Sequence, residues 1–167
     1  MQFQKIDKAL YQQRSRYTYL GISGLLILFT LFWSSLFIAL FSKGSDNFYL
    51  NLMGVVAAVV TIIPIVLTLK ERAWFYEVMY VWRLKQELNK INRKMAALVN
   101  AMNKGDKTAF EIVKFSYLGS RQIWELDDNT LMLNELSISE KKLEQQAEQF
   151  NLNIDANNYS SSALTKY

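Results

Sequence analysis

The closest grouping of oxygen ligands in the chain is Glu125, Asp127, Asp128 and Asn129. Side chains of this kind suit a hard cation such as Mg²⁺ or Ca²⁺. A calcium loop, however, spreads its ligands along a longer turn with a glycine at the sharp bend, and no such pattern stands here. The favoured reading of these residues is a helix stop whose carboxylates meet basic partners. Composition removes most other sites. The 167 residues contain no Cys and no His. Disulfides, thiolate zinc sites, Cys and His nucleophile or base pairs, and haem ligation through either residue are therefore excluded. A glycine-rich phosphate loop and a nucleophile elbow are also missing from the sequence. The expectation is a protein that is not an enzyme, with no catalytic residue, cofactor or metal.

What remains is surface chemistry. Trp74, Phe75, Tyr76, Tyr80 and Trp82 place five aromatics within nine residues. Trp and Tyr favour the headgroup level of a bilayer, so these residues form either an interfacial collar or part of a partner-binding surface.

Membrane-length runs must position that segment. From Tyr17 to Ser42 and from Asn47 to Leu69 there is no charged residue. A helix rises 1.5 Å per residue, so roughly 20 residues cross the hydrocarbon, and each run is long enough. A secretory signal would have a shorter apolar core and a small-x-small cleavage site, which favours an uncleaved anchor. Lys43, Gly44, Ser45 and Asp46 form the connector of a tight hairpin. Lys5, Lys8, Arg14 and Arg16 precede the first run, and Lys70, Arg72, Arg83, Lys85 and Lys90 follow the second, against Lys43 alone between them. The positive-inside rule then places both termini in the cytoplasm. The net charge of +4 is explained by topology, so no nucleic-acid partner is expected. Gly54 and Ala58, like Ser35 and Ala39, have the spacing of close helix approach, read as hairpin packing before a dimer motif. Pro64 should kink the second span.

Beyond the spans, Val81, Leu84, Leu88, Ile91, Met95, Leu98 and Met102 form a coiled-coil-like stripe, about 100° wide and enough for one neighbouring helix. Gly105 and Asp106 predict a reversal. A second helix, about Lys107 to Leu126, carries an apolar arc of about 220°, more than one partner can cover. Some of Phe115, Ile123 and Leu126 should therefore be left for a partner, unless the stretch around Leu131 and Leu133 folds back. Ser137 and Glu140 have capping-box spacing and predict a short third helix. The chain from Asp155 holds too little apolar surface to fold. Lys70 to Arg121 carries eleven basic and five acidic residues, whereas Gln122 to Asp155 carries eight acidic and two basic, so the two parts should attract.

The order Ile6-Asp7-Lys8, Asn47-Phe48-Tyr49-Leu50-Asn51-Leu52-Met53-Gly54, Tyr80-Val81-Trp82-Arg83-Leu84-Lys85-Gln86 and Trp124-Glu125-Leu126-Asp127-Asp128-Asn129-Thr130-Leu131 resembles an uncharacterised family of small gammaproteobacterial inner-membrane proteins, a domain of unknown function. The resemblance implies a bacterial inner membrane and supplies no activity. The expected architecture is all-α: a cytosolic N-terminal segment (1–16), a transmembrane helical hairpin (17–69), a cytosolic antiparallel helical hairpin with a short third helix (70–154) and a flexible tail (155–167). The expected partners are the lipid bilayer and either a second copy of the chain or a larger membrane protein complex, for which the chain would be an accessory or scaffolding subunit. The rival is a component of a membrane enzyme or transporter acting on a lipid-borne substrate.

Overall fold

Both uncharged runs are helical in the computed structural model, which describes residues 2–42, 44 and 46–167. Helix α1 is Lys8–Phe41 and α2 is Phe48–Leu69, and each is long and apolar enough to cross a membrane. Only 6% of the most apolar window of α1 and 17% of that of α2 is buried. The core helix of a soluble protein would be mostly covered. A short 3-10 turn, Ala73–Phe75, leads to α3 (Tyr76–Arg93), followed by α4 (Met95–Met102), α5 (Lys107–Leu126) and α6 (Leu131–Gln149). Two more 3-10 turns, Ala156–Asn158 and Ser161–Lys166, complete an all-helical chain.

The residues divide into two units, Ala9–Met79 and the described part of Met1–Lys8 with Tyr80–Tyr167. These boundaries differ from those expected at 16/17 and 69/70. The reason is that residues 2–8 pack with the later helices rather than leading into the first span alone.

In the first unit, α1 and α2 meet where a side chain is missing. A Cβ on Gly54 would lie 2.2 Å from Ser34 Oγ and 2.6 Å from the Ser34 amide nitrogen. Ala58 is fully buried one turn further on. The Ser34 hydroxyl donates to the Asn51 carbonyl at 3.3 Å, and Trp33 Nε1 donates to Thr61 Oγ1 at 3.1 Å. Gly54 and Ala58 thus serve hairpin packing, as read from their spacing. Ser35 and Ala39 do not take part, because both are exposed and Ser34 occupies the contact. In the connector the Asp46 carboxylate accepts from the Phe48 amide at 3.0 Å, while Lys43 and Ser45 lie outside the described residues. Helix α2 runs through Pro64 to Leu69.

In the second unit, α5 is the middle layer, packed by α4, α6 and the turn at Ala156–Asn158. The reversal before it forms as its residues require. Gly105 adopts φ 78°, a conformation glycine takes without steric cost, and the Asp106 carboxylate accepts from the Thr108 amide at 3.0 Å. At the far end Asp128 takes φ 56° after the α5 stop. The expected stripe is buried at Val81, Leu84, Leu88, Ile91, Leu98 and Met102. Met95 is only half-buried, because the chain breaks helical continuity at Lys94 and separates α3 from α4. Leu84 and Leu88 reach α5 at Gly119, where an added Cβ would stand 2.9 Å from Leu88 Cδ2.

Two expectations need correction. The third helix begins at Leu131 rather than Ser137. Ser137 sits inside it, donating to the Leu133 carbonyl at 2.9 Å and accepting from Arg121 Nη2 at 3.0 Å. The expected flexible tail is also packed. Ala156, Tyr159 and Leu164 are buried. Specific polar contacts supplement that small apolar area: Asn158 Nδ2 donates to Glu111 Oε1 at 2.7 Å, and Lys166 Nζ donates to Asp106 Oδ2 at 2.6 Å.

Candidate interaction surface

The eight residues read as a partner surface separate into exposed and covered groups. Trp74 is 40% exposed, Tyr76 49% and Trp82 54%, while Phe75 is half-buried. Phe115, Ile123 and Leu126 are buried, as is Tyr80. The surplus apolar arc of α5 is therefore not left for a partner, and the two ends of the chain explain why. Phe3 stacks on Phe115 with ring centroids 4.8 Å apart, and Tyr159 stacks on it at 4.0 Å. Of the stretch around Leu131 and Leu133, Leu131 is 85% exposed at the start of α6 and Leu133 is half-buried.

Tyr80 is held by polar groups of the second unit. Its hydroxyl accepts from the Gln4 amide at 3.0 Å and donates to Gln122 Oε1 at 2.9 Å, while Gln122 Nε2 donates to the Gln4 carbonyl at 2.6 Å. In the first unit, Trp74 has a cationic neighbour. The Arg14 guanidinium carbon lies 5.9 Å from the Trp74 ring centroid, and Arg14 pairs with Glu77 and reaches the Ala73 carbonyl at 3.4 Å. This arrangement draws on residues about sixty positions apart, so no local spacing reveals it.

The acidic cluster behaves as a helix stop with basic partners. Lys85 Nζ lies 2.9 Å from Asp127 Oδ2, and Asp128 pairs with Lys8. The charge division along the chain is used within the unit: Arg121 forks onto Glu140 at 3.1 and 2.5 Å, and Lys114 lies 3.6 Å from Glu144. Such exposed and half-exposed pairs fix register more than they stabilise. Among the described residues no group of three or more acidic side chains is arranged to hold a metal ion.

Two further carboxylates tie down the C-terminal segment. Asp106 is held below its ordinary range, foremost by the hydrogen bond from Lys166 against a smaller opposing effect of burial. At Glu87 burial pushes upward, but hydrogen bonds from Lys90, Tyr159 and Ser161 together outweigh it and lower the pKa. The Tyr159 phenol is pushed well up by burial and by its hydrogen bond to Glu87 at 2.9 Å. Carboxylates depressed in the folded state contribute stability that is present above their unfolded pKa of about 4 and lost as pH falls through the folded value. The hydrogen-exchange protection of residues 156–167, corrected for intrinsic rate, should therefore drop as pH falls below about 4. The combined Glu87→Gln and Asp106→Asn variant should flatten that dependence. A wild-type segment whose protection ignores acid would contradict the role of both carboxylates.

Neither a curated protein nor a solved structure matches the chain. A family model does, over residues 1–164. The chain belongs to the DUF3087 family, described as protein of unknown function.

Proposed function

We propose that the chain is a small two-span protein of a bacterial inner membrane, with both termini cytoplasmic, acting without catalysis as an accessory or scaffolding subunit. It associates with a second copy or with a larger membrane complex. The observation that carries this reading is the exposed pair Trp74 and Tyr76, which lies a few residues after the end of α2 at Leu69 and whose Trp74 is braced by Arg14. Large aromatics held in place lose little entropy on binding, and Trp and Tyr are enriched where interfaces are strongest. Of the acidic cluster Glu125, Asp127 and Asp128 that a membrane enzyme or transporter component would use, Asp127 and Asp128 are engaged in ion pairs, which favours the scaffold.

Crosslinking tests the reading, since the background has no cysteine. The buried positions Ile123 and Tyr80 are unsuited, so single cysteines belong at Trp74 and Tyr76. In native membranes both should yield an intermolecular adduct of fixed size, while a cysteine at the exposed Asn134 of α6 should not. Lipid as the sole neighbour of these aromatics would leave both positions without a protein adduct, and the proposal would fail.

A further inference from the structure

Between α5 and α6 lies a cleft of about 330 Å³, within the range of small-molecule sites. Its apolar lining comes from Leu118, Leu143 and Tyr117. The lining also carries three cations, Lys114, Arg121 and Lys141, and two carboxylates, Glu140 and Glu144. These charges are not equally available. The Arg121 guanidinium is forked onto Glu140 and also donates to Ser137 at 3.0 Å, so both members of that pair are committed. Lys114 is loosely held: its ammonium is 3.4 Å from the Ile154 carbonyl and 3.6 Å from Glu144 Oε1, near the outer limit for each contact. Glu144 has a side chain 58% exposed and regains hydration readily when displaced. Tyr117 is a neutral phenol near neutral pH, as tyrosines ordinarily are, and burial only raises its pKa further. Lys141, also in the lining, is exposed.

We propose that this cleft binds a small monocarboxylate with an apolar body, such as an arylalkyl acid. The apolar part covers Leu118 and Leu143, and the carboxylate takes the place of Glu144 on Lys114. A cationic ligand is disfavoured, because the more buried carboxylate, Glu140, is already held by Arg121.

The test uses the full chain in phosphatidylcholine nanodiscs and 4-fluorophenylacetate as the probe, read by fluorine line broadening, with empty nanodiscs as the blank. The anion should broaden above the blank, and 4-fluorophenethylamine, its cationic counterpart, should not. Lys114→Gln should weaken binding about tenfold, as expected for a hydrogen bond to a charged group, and Leu118→Trp should abolish it by filling the cleft. Glu144→Gln should strengthen binding about two- to fivefold by freeing Lys114, a gain that damage to the fold would not produce. Broadening no greater than the blank, equal broadening of the amine, or binding that Lys114→Gln and Glu144→Gln both leave unchanged would overturn the proposal.

Discussion

Phe115→Ala should lower the stability of the helical unit by about 3 to 5 kcal/mol. The side chain is fully buried, and its loss removes more than a contact within α5. Phe3 covers one part of the ring at an interplanar angle of 25° and Tyr159 another at 17°. Both ends of the chain therefore meet on one side chain, and aromatic stacking adds to the area each buries. Truncation leaves a cavity whose walls include two segments with few other apolar anchors. Hydrogen exchange on the full-length protein reads this directly. Peptides covering residues 2–8 and 155–167 should exchange about a hundredfold faster or more, given about 1.4 kcal/mol per factor of ten. Phe115→Leu, which keeps most of the volume, should recover a large share of the protection. Unchanged exchange of both ends in Phe115→Ala would contradict the clasp.

Gly54→Leu should separate the spans at their closest approach, at a cost of about 3 kcal/mol, the upper end for overpacking. Even a methyl group at this position would stand 2.6 Å from the Ser34 amide nitrogen and 2.7 Å from its Cα. These are backbone atoms and cannot rotate away. Gly21 offers the contrast, since nothing lies within 4 Å of the corresponding position, so Gly21→Leu should be tolerated. Thermal unfolding in mild detergent, followed by circular dichroism, should show a clear loss for Gly54→Leu and near wild-type behaviour for Gly21→Leu. Equal midpoints for the two variants would mean that the helices do not pack through Gly54.

Local pattern revealed what depends on local chemistry. The limits of α5 follow from Gly105 and Asp106 at one end and Asp127 to Asn129 at the other, and its wide apolar arc marks it as a middle layer. The stripe from Val81 to Met102 identifies the residues buried against it. No sequence pattern marks the residues that cover Phe115, because Phe3 and Tyr159 stand alone in polar surroundings. A lone aromatic has no periodicity to read, and its burial depends on Phe115, more than forty residues away in the chain. Asn158 and Lys166 likewise resemble solvated tail residues until Glu111 and Asp106 are brought to them. Ser137 misled for a related reason. Its spacing to Glu140 satisfies a capping box, but Arg121 on α5 engages both side chains and the helix continues past them towards Leu131.

The arrangement of two spans with both ends on one side is tested most directly by reporter fusions after Tyr167 and within the connector at Gly44. Nine basic residues flank the spans outside the connector against Lys43 within it, and the proposed orientation, with both ends in the cytoplasm, follows the positive-inside rule. A fluorescent protein that matures only in the cytosol should be bright after Tyr167, and alkaline phosphatase, active only in the periplasm, should work at Gly44 and be inactive after Tyr167. Phosphatase activity after Tyr167, or a chain that fractionates free of the membrane, would contradict the two-span arrangement.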